Sequence, residues 1–274
     1  MKRYSSNIIT KTGAWSLFNT LKPRNQKLFK LPPHETCDSL NQYFCTVAFL
    51  KPEDKIDTLL SETALNNPDS FHFTVKNVTK SDVYLAWKQM KHTKRKTEDP
   101  LGISNYMIDS LMPLPSFFDM LVKFSNLSFN SGTLPEALKI AKVIPIPKIP
   151  QPKTLGDFRP ISITPNITLL LEKIFLNRLE IYLSNHKIIS KNQFGFRRNH
   201  STEMAIIALT DNVKKILDLN RVCVIVALDF RKAFDSVPRE SLLKKIAAKY
   251  KVSDFWLRNY LANRYQYVEI NGVR

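Results

Sequence analysis

The sequence predicts an α+β fold, and three observations carry that expectation. Several segments repeat apolar residues at helical spacing, a proline-bearing stretch alternates as extended chain does, and the β-branched run "VCVIV" leads straight to Asp229. With 274 residues, 43% of them hydrophobic, the chain can bury a substantial core in one large domain or two modest ones.

Residues 1–75 hold no period for long and read as a weakly structured lead-in. Thr79, three before Asp82, resembles a capping box, and Val83, Tyr84, Trp87 and Met90 follow on one helical face, so a helix starts near residue 80. "KHTKRKTEDPLG" is a basic loop, either a solvated charge run or a phosphate contact. Ile103, Met107, Ile108 and Leu111 predict a second helix; Phe117, Phe118, Leu121, Val122 and Phe124 predict a third, punctuated by Gly132 and Pro135.

Prolines exclude a helix from "IAKVIPIPKIPQPKTLGDFRPISI", which reads as a β-hairpin of 141–147 with 159–163, its loop region carrying Lys148, Lys153 and Arg159. "NITLLLEKIFLNRLEIYLSNH" is amphipathic and helical. After the loop "KIISKNQFGFRRNHS", Ser201 or Thr202 caps a helix whose stripe is Ile206, Leu209, Val213, Ile216 and Leu217. The apolar strand follows, then a helix whose first turn is marked by Pro238, then a closing helix and strand in "DFWLRNYLANRYQYVEINGVR".

Forty-one Lys plus Arg stand against 24 Asp plus Glu, a balance of +17 that favours polyanionic partners without separating RNA, DNA and anionic membranes. Three unevenly spaced cysteines suggest neither a disulfide framework nor a zinc site. No signal-peptide core is seen, and no window reaches about 18 uninterrupted apolar residues. An intracellular protein, nuclear or cytoplasmic, is expected.

A strand apolar on both faces belongs inside a covered sheet, so Asp229 at its carboxyl end would emerge where ligands commonly sit. Read locally, Asp229 is a turn residue accepting backbone N–H bonds or a hard oxygen ligand for Mg²⁺. Asp235, beside Ser236 and Pro238, suits helix capping or a structural ion pair. Lys148 and Arg159 suit either solvent or phosphate; Phe194, Phe196 and Phe234 suit the core.

Taken together these segments resemble reverse transcriptases of non-LTR (LINE or jockey-like) retrotransposons. "VALDFRKAFDSV" resembles their first catalytic palm motif, "DFRPISI" a fingers motif, "NQFGFRRNHST" the next, and "YLANRYQYVEINGV" the segment before the second palm motif. The resemblance spans roughly residues 75–274. It implies a right-hand polymerase: fingers over 76–220 and the first part of an antiparallel palm sheet over 221–274.

By the same resemblance, Asp229 and the backbone carbonyl of Phe230 would bind Mg²⁺, two ions serving the complete enzyme. Lys148 and Arg159 would hold the dNTP triphosphate, and Phe234 would be the gate that rejects ribonucleotides. Ile161 would lie beside the templating base, and Gln193, Phe194, Gly195, Phe196 and Arg197 would line the template groove. RNA template, DNA primer and dNTP are the implied partners, with no membrane.

Two departures stand out. Leu101 occupies a position where the family carries an acid, and no aromatic-Ala-Asp-Asp run occurs. The chain is therefore expected to be a truncated enzyme unable to polymerise alone. A non-catalytic nucleic-acid-binding remnant is one alternative. A group II intron maturase-like protein or an RNA-dependent RNA polymerase is another, the latter disfavoured by Phe234.

Overall fold

Local capping chemistry sets where the helices begin. The computed structural model describes residues 31–47, 73–90, 98–230, 233 and 237–270. Helix α1 is Cys37–Val47 and α2 is Lys80–Gln89. At the start of α2 the Thr79 hydroxyl accepts the Asp82 N–H at 3.3 Å while the Asp82 carboxylate accepts the Thr79 N–H at 2.8 Å, a reciprocal capping box. Helix α3 is Asn105–Leu111, opened by Ser104, whose Oγ accepts the Met107 N–H at 3.2 Å. Helix α4, Pro115–Ser131, begins on the proline and ends at Gly132, whose φ of +65° a side chain would resist.

Strands β1 (Ile140–Pro147) and β2 (Phe158–Ile163) form the expected hairpin, with Ile144 opposite Ile161 and Ile146 opposite Arg159. Helices α5 (Asn166–Asn185), α6 (Thr202–Asp218), α7 (Arg239–Tyr250) and α8 (Phe255–Leu261) follow, and β3 is Tyr265–Val268. The architecture is α+β. The sheet order is β2-β1-β3, with β1–β2 antiparallel and β1–β3 parallel, so the sheet is mixed rather than the antiparallel one expected. The reason is that β3 returns to the free edge of the proline hairpin.

Among the described residues, two apolar clusters hold these pieces. A small one lies between α1 and the sheet, where Leu40, Val143, Phe158 and Val268 are buried. The expectation of a weakly structured lead-in is corrected here, because α1 arises inside residues 1–75 and places Leu40 fully out of solvent. The larger cluster joins α2, α4, α5 and α8 through Val83, Leu121, Phe129, Ile174, Phe175 and Trp256.

Residues 73–78 thread this cluster as a strap that runs extended through Lys76 and turns at Asn77, whose φ is +53°. Phe73 and Val75 point inward and Thr74 and Lys76 outward, the alternation of extended chain. The strap's polar backbone is satisfied by distant residues. Asn126 of α4 pairs with Val78 at 2.7 and 2.8 Å, and the Ser253 N–H donates to the Phe73 carbonyl at 3.0 Å. Arg178 of α5 donates to the carbonyls of Lys76 and Asn77, and also to the Asp82 carboxylate at 2.7 Å.

Asp99, itself 5% exposed, plays a similar part: its carboxylate accepts the N–H groups of Leu101, Ile103 and Asn166 at 2.8 to 3.0 Å. One Asx-type turn thereby ties the loop before α3 to the start of α5.

The larger departure concerns residues 221–230. Expected as a buried strand, they form no strand and lie open: Val222 is 89% exposed, Val224 80% and Val226 74%. Helix α6 before them has the predicted Ser201 cap but no buried residue. A strand apolar on both faces needs a neighbour on each side and a layer above and below. None of these is formed around it among the described residues.

Two outcomes follow. Loss of a buried charged acceptor leaves its donors unsatisfied at about 1–3 kcal/mol each, so Asp99→Ala is expected to lower the unfolding free energy by about 3 kcal/mol in urea titrations. Burial tends to raise the Asp82 carboxyl, but hydrogen bonds from Arg178 and Thr79 outweigh it and hold the group below 3.8. Its contribution is therefore complete above pH 3.8 and lost as pH falls through the lower folded value. Urea midpoints of wild type and Asp82→Asn should differ at neutral pH and converge below pH 3.8.

Candidate functional site

The hairpin builds the cationic part of the site. Register puts Ile144, Ile146, Arg159 and Ile161 on one face of β1–β2 while Val143 and Phe158 turn to the buried face. Arg159 and Ile161 thus stand exposed side by side, two residues apart on one strand.

Lys148 stands where the hairpin loop begins, and its ammonium donates to the Gly156 carbonyl at 2.8 Å. An ammonium has three donors, so this bond anchors the side chain without exhausting it. Asp157 organises the same loop. Its Oδ2 accepts the Lys153 and Thr154 N–H groups at 2.9 Å each, and those bonds, with the nearby Lys148 charge, hold the carboxyl below its ordinary range. Thr154 three residues before Asp157 is again a capping-box spacing, a signal available in the sequence but passed over there.

The loop between α5 and α6 carries the second group of expected residues. Its turns are closed locally: the Gln193 N–H and the Arg197 guanidinium both donate to the Ser190 carbonyl at 3.1 Å. Phe194 is half-buried against His200, ring centres 5.9 Å apart, whereas Phe196 is 93% exposed at a φ of +55°. The two phenylalanines therefore differ in exposure. Gly195 beside them has open space where a Cβ would stand.

Asp229 is exposed, as is Phe230 at 82%. The carboxylate is open to solvent rather than walled in by apolar neighbours. Phe234 and Asp235 lie outside the described residues. Among the described residues no group of three or more His, Cys, Asp or Glu side chains is arranged to hold a metal ion, and no helix is long and apolar enough to cross a membrane. The structure thus brings Lys148, Arg159 and Ile161 onto one hairpin, with residues 193–197 on a separate loop and Asp229 on the open segment after α6.

A basic hairpin, an aromatic and arginine-bearing loop and a carboxylate at the end of an apolar run define a domain suited to nucleotides and nucleic acid. Residues 146–274 match the family described as reverse transcriptase (RNA-dependent DNA polymerase). Several relatives are named for mobile elements. The chain is 27% identical over 228 residues to the probable RNA-directed DNA polymerase from transposon BS of Drosophila melanogaster, covering 82% of this chain and 24% of that protein.

It is 30% identical over 162 residues to the RNA-directed DNA polymerase from mobile element jockey of the same fly, 57% of this chain and 18% of that protein. The jockey protein of Drosophila funebris is 29% identical over 207 residues, 75% of this chain and 22% of that protein. The chain therefore spans about a quarter or less of the length of these relatives.

Removing the Asp157 carboxylate is expected to loosen the hairpin loop locally. In Asp157→Ala, amide hydrogen exchange at Lys153 and Thr154 should accelerate, while amides within α5 stay protected.

Proposed function

We propose that this chain is part of an RNA-directed DNA polymerase of a non-LTR mobile element, transferring nucleotidyl groups from dNTPs to a primer 3′-hydroxyl inside the cell. The observation that supports this most is the match over 146–274, because Lys148, Arg159, Ile161, residues 193–197, Asp229 and Phe234 all fall within it. In this reading the hairpin belongs to the fingers of a right-hand polymerase and residues 221–274 to the first part of its palm.

Arg159 presents a planar pair of donors to phosphate oxygens, and the Lys148 ammonium adds a point charge beside it. Ile161, on the same exposed face, supports the templating base. By the resemblance Phe234 would be the gate against a ribose 2′-hydroxyl, and the exposed Phe196 ring with Arg197 offers stacking and backbone contact to the template.

An exposed carboxylate suits a hard cation, so Asp229 with the Phe230 carbonyl would hold Mg²⁺. When bound in a pair, such ions lower the pKa of the attacking hydroxyl and stabilise the leaving pyrophosphate. In this reading Asp229 would hold the ion, and Arg159 would hold the triphosphate of the incoming nucleotide. A single exposed carboxylate binds the ion weakly, and the sequence contains no aromatic-Ala-Asp-Asp run to supplement it. In this reading further carboxylates and flanking palm strands come from outside residues 1–274, and they also cover the apolar segment 222–228.

The test is a chimera joining residues 1–274 in frame to the downstream palm of a transposon relative. It is expected to incorporate dNTPs on an RNA template, Asp229→Ala to abolish incorporation, and Phe234→Ala to admit ribonucleotides. Arg159→Ala should raise the KM for dNTP about tenfold, the scale of one lost charge-assisted contact. The 274 residues alone should show no template-dependent incorporation on poly(rA) with Mg²⁺ and dTTP; robust incorporation there overturns the assignment of the metal site. Salt-sensitive RNA binding without incorporation by the chimera would instead support a binding remnant.

A further inference from the structure

A cavity of about 240 Å³ opens at the surface between the strap, α4, α5 and the start of α8. Its walls are aromatic: Phe73, Phe129, Phe175, Phe255 and Trp256. Polar side chains stand at the rim: Thr74, Lys76, Asn130 and Ser253. None of these residues belongs to the nucleotidyl-transfer reading above.

The walls are held in advance. Phe73 is fixed by backbone bonds to Lys251 and Ser253, and the indole N–H of Trp256 donates to the Ser128 hydroxyl at 3.0 Å. Phe129 and Phe175 each lie against Trp256, ring centres 4.9 and 5.4 Å apart. Phe255 differs from the other four in being 59% exposed. Its ring sits in the space that a side chain at Gly132 would occupy, so a glycine at 132 is what lets this ring lie against the chain. A ring held there offers a stacking surface at little entropic cost.

We propose that this cavity receives one unstacked base of a single-stranded nucleic acid, with the base stacked on Phe255 and a flanking phosphate beside Lys76. The proposal rests on the nucleic-acid reading given above. An apolar cavity of roughly 150 Å³ already holds benzene, so the larger volume here has room for a base. The rim favours a base over an apolar side chain, because the Asn130 amide and the Thr74 and Ser253 hydroxyls can both donate and accept at a base edge. The ammonium of Lys76 and the chain's charge of +17 favour the attached phosphates.

The experiment measures binding of the 274-residue chain to RNA and DNA single strands of one sequence and to a fully abasic strand of equal length. Phe255→Leu keeps apolar volume without a ring, and Phe255→Tyr restores the ring. Base stacking sets the expected size: Phe255→Leu should weaken binding of base-bearing strands about tenfold, leave the abasic strand unaffected, and be rescued in Phe255→Tyr. Loss for RNA alone would assign the pocket to RNA; equal loss for RNA and DNA would assign it to single strands generally.

Unchanged affinity in Phe255→Leu, or equal weakening toward the abasic strand, overturns the pocket. Should Phe255→Leu perturb the circular dichroism spectrum, 2-aminopurine in the strand decides on wild type alone: quenching on binding supports the pocket, and unquenched fluorescence at every position overturns it. Salt-sensitive binding with a neutral Phe255→Leu removes this inference and leaves the polymerase reading standing. Absence of any binding at low salt removes both.

Discussion

The structure depends on how one short strap, residues 73–78, satisfies its backbone. A chain entering a core of aromatic rings must pair its N–H and C=O groups or lose the benefit of burial. The pairing comes from α4 through Asn126, from α5 through Arg178, and from the α7–α8 connection through Lys251 and Ser253. Because Arg178 also binds Asp82, the same guanidinium locks the capping box of α2. Early, middle and late parts of the chain are thereby held in one register, and the cavity beside Phe255 exists because that register is rigid.

Residues 221–230 show the opposite situation. Their apolar side chains are those of a central strand, yet they remain exposed, since strand formation is a property of a pair rather than of a sequence. The hairpin β1–β2 forms because its partner is only a loop away. The free edge of β1 is closed by β3 from the far end of the described residues, which is why the sheet is mixed. Carboxylate position at 229 is governed by the same rule: a side chain is only as well placed as the element that carries it.

Much of the fold was legible because it is governed by local chemistry. Thr79 with Asp82, Ser201, and the prolines of the hairpin each act within a few residues, and the helix starts and the strand limits followed. Within the candidate site, Arg159 and Ile161 were named from the resemblance alone, and it is the pairing of β2 with β1 that puts both on one exposed face. Phe194 and Phe196 were not separable in advance, because which ring packs depends on a turn with a positive φ at 196. Asp99 was also passed over; its three donors come partly from Asn166, far along the chain, although Asp-Pro-Leu-Gly is itself a turn signal.

The sequence by itself determined the α+β class, the caps at Thr79 and Ser201, the proline hairpin, the cationic balance and the motifs that resemble those of reverse transcriptases. These rest on propensities and spacings that neighbours in sequence decide. Tertiary structure alone decided that part of the lead-in is core, that β3 lies parallel to β1, that Lys148 is tethered to Gly156, and that the run before Asp229 lies open to solvent. Those outcomes turn on which distant groups meet, and burial and hydrogen-bond satisfaction between remote segments leave no periodic trace in the chain.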